Sequence, residues 1–132
     1  TGGEDMFHYT VETNQSIEDA ISSLEKSLKE ESFGVLWHFD IKETLQSKGF
    51  EFDQPYHVLE VCNPKEAQRV LSENQMVGYF LPCKIVVYQD KETTKIGMPR
   101  PTSLIEMVND DSLKEFANDI EERLMERMDR SV

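Results

Sequence analysis

The sequence predicts an α+β fold: a mainly antiparallel sheet of about five strands with helices packed on one face. Three observations carry the prediction. Short runs that alternate every two residues are interleaved with longer runs of helical spacing, two consecutive strand-like runs are joined by a tight polar turn, and helical segments collect at the end of the chain. With 132 residues and 15.3 kDa, there is matter for one core. Residues 1–5 read as a vector-derived remnant ahead of a native start at Met6, and residues 6–132 as a single domain.

Taken in order, Met6 to Glu12 alternates as a half-buried strand, with Phe7, Tyr9 and Val11 on one side and Met6, His8 and Thr10 on the other. Ser16 then caps a first helix in which Ile17, Ala20, Ile21, Leu24 and Leu28 form one stripe to about Glu31. Phe33 to Ile41 is the second strand. Strict alternation places Phe33, Val35, Trp37 and Phe39 toward the helices, and Gly34, Leu36, His38 and Asp40 away from them. Asp40 caps a short helix through Ser47, which Lys48 and Gly49 end. Tyr56 to Cys62 is the third strand, followed by Asn63 as cap and Pro64 as first residue of a helix to about Asn74.

Gln75 to Pro82 reads as a connection, and Cys83 to Gln89 as a strongly β-forming fourth strand. Asp90 to Thr93 turns the chain into a fifth strand, Thr94 to Met98, which Pro99 and Pro101 stop. Ser103 to Val108 makes a helical turn. Asp111 then caps a final helix striped by Leu113, Phe116, Ala117, Ile120, Leu124 and Met128, with Met107, Met125 and Met128 filling gaps in its packing. The resulting order is βαβ(α)βαββαα. Helices on one face leave the other bare, and there the alternation puts Met6, His8, Leu36 and His38. That face is too apolar for ordinary solvent exposure, so a second copy of the chain is expected to cover it.

Twenty-six acidic against 14 basic residues give a net charge of -12, which repels a phosphate backbone and makes nucleic acid a poor partner. No stretch approaches the roughly 20 apolar residues of a membrane span. Two cysteines without CxxC spacing fit a reducing compartment, so the expected location is cytoplasmic. Phosphate loops, dinucleotide fingerprints, nucleophile elbows and HExxH motifs are missing, so no motif identifies a cofactor.

Chemistry can therefore come only from a few residues. His38 and Asp40 lie two apart on one strand, and His8 joins them if the first two strands pair, giving a cluster suited to zinc or to proton transfer. The simpler reading makes them polar residues at a subunit interface or rim, with Asp40 acting only as a helix cap. Cys62 ends one strand and Cys83 begins the next, so the thiols can meet as a metal or redox pair, or serve as small buried hydrophobes. Between residues 67 and 103, Arg69, Lys84, Lys91, Lys95 and Arg100 outnumber Glu73, Asp90 and Glu92, which leaves room for an anionic small ligand. The pairs Asp119 with Arg123 and Glu126 with Arg130 belong to a solvated helix face.

Several strings resemble the domain-of-unknown-function 302 family of small bacterial and archaeal proteins: Phe33-Gly34-Val35, Asp40-Ile41-Lys42-Glu43-Thr44-Leu45, Lys48-Gly49, Leu59-Glu60-Val61-Cys62-Asn63-Pro64 and Leu81-Pro82-Cys83-Lys84. The resemblance runs from Met6 to Arg130; Ser32 stands where the family often has glycine. It implies a fold of the TATA-binding-protein-like class, a dimer, no established activity, and a place for Asp40, Cys62, Asn63, Pro64, Pro82 and Cys83 in recurring motifs. Two functions follow as expectations. One is a non-enzymatic homodimer that binds a small ligand or a protein; the other is a metal-binding or thiol-dependent enzyme using Cys62 and Cys83, or His38 with Asp40 and His8.

Overall fold

A computed structural model describes residues 6–132, so the reading of residues 1–5 lies outside the described residues. The chain runs β1 (His8–Thr13), α1 (Ile17–Lys29), β2 (Gly34–Asp40), α2 (Ile41–Ser47), β3 (Tyr56–Cys62), α3 (Pro64–Glu73), a 3-10 segment (Gln75–Phe80), β4 (Cys83–Asp90), β5 (Thr93–Pro99), α4 (Pro101–Ile105), two 3-10 turns (Glu106–Val108 and Asp111–Leu113) and α5 (Lys114–Ser131). The five strands form one sheet in the order β1-β5-β4-β3-β2, with every neighbouring pair antiparallel. This is the expected α+β layer.

Local chemistry sets the boundaries. The Ser16 hydroxyl oxygen accepts from the Asp19 N–H at 3.1 Å, and the Asn63 side-chain oxygen accepts from the Glu66 N–H at 3.3 Å, so α1 and α3 begin at the expected caps. Two expectations need correction. Pro101 does not end an element but opens α4 from its first turn, where its missing N–H leaves no bond unmade. Asp110, not Asp111, supplies the cap before the last helix, and it caps the 3-10 turn that leads into α5.

Helices α1 and α5 lie together on one side of the sheet. Leu24, Leu28, Leu59, Ile85, Ile96, Leu124 and Met128 are all sealed from solvent between them and the strands. Burial of one such leucine is worth roughly 2 kcal/mol, so this layer supplies the bulk of the cohesion. Polar ties fix the helices in register. The Ser27 hydroxyl donates to the Arg127 carbonyl at 2.6 Å, and Arg127 pairs with Glu30. Glu121, only 5% exposed, accepts from Arg100 at 2.9 Å and from the Thr102 hydroxyl at 2.7 Å, joining α4 to α5. Burial pushes the Glu121 carboxyl up, but these bonds together outweigh it and hold the group below the usual carboxylate range. A smaller apolar cluster, formed by Val70, Val77, Ile105, Leu113 and Ala117, sits between α3, α4 and α5.

The alternation assumed for the second strand is inverted by the structure. Val35 faces Val61 across the β2–β3 ladder, but the next registered pair is Trp37 with Glu60, so Leu36 is an extra residue in a bulge. One added residue in a period of two sends every later side chain to the other face. Trp37 is 61% exposed and Phe39 40% exposed on the bare face, where their rings stack at 5.2 Å, and neither belongs to the core. His38 registers with the buried Leu59 and so lies on the helical side, contrary to expectation. The bare face carries Trp37, Phe39, Tyr56, Val58, Val86 and Tyr88, so the argument for a covering second copy passes to a different set of residues. Met107 is exposed, and its assignment to the packing of the last helix is also corrected.

Candidate functional site

Two clusters of candidate residues lie at opposite ends of strands β2 and β3. Asp40 registers with His57 at the first end, while His38 Nε2 and His57 Nδ1 lie 2.8 Å apart in a hydrogen bond whose donor depends on the tautomer. Burial lowers the His57 pKa and His38 lowers it further, whereas Asp40 and Glu18 oppose the shift. Asp40 also caps α2, accepting from the Glu43 N–H at 3.0 Å. His8 takes no part. Because β1 and β2 form opposite edges of the sheet, His8 sits beside Thr10 on the far side, 2.9 Å from its hydroxyl. The expected cluster of His8, His38 and Asp40 is thus replaced by a pair of histidines near Asp40. His57 is one of the three histidines available for chemistry, and only the β2–β3 register, which spacing along the chain does not reveal, brings it beside His38.

At the opposite end of the two strands, the chain leaves β3 at Cys62, turns through Asn63 and Pro64 into α3, and returns into β4 at Cys83. This route places the two thiols on adjacent strands. Cys62 faces the bare side with Gly34, and Cys83 faces the helices with Val61. Both are free. Burial pushes the Cys83 thiol up to about 11, with Cys62 and Glu60 adding to it, and burial raises Cys62 as well. The thiolate is the reactive and metal-binding form, so this environment suits small apolar wall groups better than nucleophiles or metal ligands. Among the described residues, no group of three or more His, Cys, Asp or Glu side chains is placed to hold a metal ion.

Both cysteines line a half-open cavity of about 750 Å³, bounded by β2 and the ends of β3, β4 and β5 together with α3, α4, α5 and the 3-10 segment. Its wall is almost entirely apolar, with Trp37, Phe80, Leu81, Leu104, Phe116 and Leu124 among the larger contributors. Its volume falls within the range of natural small-molecule sites. The cavity was invisible to motif reading because none of these residues has a sequence signature. Leu36, Trp37 and Phe39, at and beyond the bulge, all contribute to its lining. The basic excess between residues 67 and 103 is largely neutralised within the protein: Lys84 pairs with Glu60, Lys95 with Asp90, Arg69 with Glu66 and Arg100 with Glu121. The helix-face pairs Asp119 with Arg123 and Glu126 with Arg130 do form, at 3.1 and 3.2 Å.

Fold and site together define a class, a one-sided α+β layer with an apolar chamber at one end of its sheet. The sequence places it further: the domain of unknown function DUF302 matches residues 9–131, and the chain belongs to that family. A crystal structure of an uncharacterized conserved DUF302 protein from Bacillus stearothermophilus has the same fold, with a TM-score of 0.94 and 58% sequence identity, over 97% of this chain and 100% of that one. No curated protein matches the chain. No helix among the described residues is long and apolar enough to cross a membrane.

Proposed function

We propose that the protein is a binding module whose ligand is an apolar small molecule held in the chamber at the end of the sheet. The observation that carries this reading is the chamber itself: about 750 Å³ of space with a nearly continuous apolar wall in a domain of 132 residues. Apolar walls around a half-open cavity of this size offer an apolar ligand many dispersion contacts and let it shed its own hydration. A binding role, rather than thiol catalysis, is supported by the protonated state that burial enforces on both cysteines.

The sequence contains one tryptophan, Trp37, and it lines the chamber, so ligand entry has an intrinsic reporter. Titration with decanol is expected to shift and saturate Trp37 emission. Ala67 is half-buried in the wall on α3, and Ala67→Phe places a ring in the chamber without enlarging a packed core position. The variant should unfold within about 1 kcal/mol of the parent yet bind decanol roughly tenfold more weakly or worse. Unchanged affinity in a folded Ala67→Phe protein would place the ligand elsewhere.

A further inference from the structure

We infer that the chamber takes uncharged apolar molecules and discriminates against their carboxylate counterparts, an inference that rests on the binding role proposed above. Chambers of this kind suit fatty acids only if some wall group can receive the carboxylate, because burying an unpaired carboxylate is far more costly than burying an alcohol. The charged side chains of this wall are Glu60, Glu66 and Lys84. Each already has a partner. Glu66 accepts from Arg69 at 3.1 Å and is bonded to Arg123, and Lys84 Nζ donates to Glu60 Oε1 at 2.9 Å.

Of the neutral polar side chains, Asn63 is 7% exposed, donates one amide N–H to the Glu31 carbonyl at 3.1 Å and accepts from the Glu66 N–H, while Tyr79 is 82% exposed and offers a hydroxyl already in solvent. Lys84 Nζ has donors to spare, but Glu60, whose own side chain is 18% exposed, already neutralises it. A ligand carboxylate sharing Lys84 with Glu60 meets one attraction and one repulsion at similar range, so the pair offers it little net gain. The net charge of -12 adds a repulsive field at the mouth, weakened but not removed by salt. An alcohol or hydrocarbon meets none of these penalties.

The same geometry names the residue that enforces the preference. Removing the Glu60 charge frees Lys84 at the mouth without touching the apolar wall. The test titrates the full chain and Glu60→Gln with decanol and with decanoate at neutral pH and about 0.15 M salt. Binding is read from Trp37 emission and, independently, from amide NMR shifts of the lining residues. For the parent protein, decanol should bind roughly tenfold or more tightly than decanoate. Glu60→Gln should raise decanoate affinity several-fold and narrow the ratio of decanol to decanoate affinity by a similar factor. Equal affinities in the parent, or a Glu60→Gln variant that gains nothing for decanoate, would overturn the discrimination while leaving the chamber's binding role intact. Neither compound disturbing Trp37 or the lining amides would overturn the binding role together with it.

Discussion

Strands β2 and β3 carry reactive side-chain types at both ends, yet the two ends are built on opposite plans. One end gathers His57, Asp40 and Glu18 around a polar hollow of about 460 Å³, with His38 hydrogen-bonded to His57. The other surrounds Cys62 and Cys83 with aromatic and aliphatic walls and pairs every charged group of that wall internally. The contrast teaches that a concentration of histidine or cysteine does not make a site. Whether polar groups are left available, and whether space is left unfilled, decides what an end of the sheet can do.

The comparison predicts its largest effect at Leu124, which is fully buried and borders both the main core and the chamber. Leu124→Ala should lower stability by about 2–5 kcal/mol in urea unfolding, because the core helices cannot close over the lost atoms. It should also enlarge the chamber, so the folded fraction should still bind decanol. A loss much below this range would mean that the chamber end is softer than its packing implies, and the comparison between the ends would fail there.

A smaller effect separates the two thiols. Alkylation by a neutral maleimide at neutral pH should be slow at both, since burial keeps each protonated, and slower at Cys83, whose pKa is pushed up to about 11 and which packs against the main core. Saturating decanol should slow both further, and mass spectrometry of the labelled peptides measures each rate. Cys83→Ser leaves a hydroxyl facing apolar wall and should cost about 1–3 kcal/mol. Rapid labelling of Cys83 in the folded protein would sharpen the comparison in the other direction, making the chamber end the reactive one.

Element order and sheet character were legible because capping signals and alternation agree along most of the chain. Asn63 with Pro64 marks the start of α3, and the β4–β5 hairpin follows from its polar turn. The site was far less legible. Nothing in the string Val35-Leu36-Trp37 announces a bulge, because every residue there is apolar and fits either face; the mismatch appears only when β2 is paired with β3. That one insertion moved Trp37 and Phe39 out of the expected core and carried His38 to His57. The chamber draws its wall from eight elements far apart in sequence. No local period encodes a space between elements, whereas Cys62 and Cys83 were visible from the strand ends they occupy.

The histidine end should contribute the smallest effect, and one of definite sign. His57 has a folded pKa below its ordinary value, because burial and the neighbouring His38 disfavour its charged form more than Asp40 and Glu18 favour it. The unfolded chain therefore binds more protons than the folded one as pH drops below the usual histidine range near 6.5. Stability tied to neutral His57 is fully present above that value and is lost as pH falls through the folded pKa. Protonation also removes the ring nitrogen's capacity to accept, so a doubly protonated pair cannot keep the 2.8 Å contact. Urea unfolding between pH 7 and pH 5 should show a modest decline in the parent, and His57→Gln should flatten it. The background fall from Glu121, whose depressed carboxyl loses its advantage only as pH drops through the carboxylate range, should stay the same in both proteins. Identical slopes for parent and variant down to pH 5 would show that the histidine pair is too well hydrated to be set against the apolar cavity at the other end of the same strands.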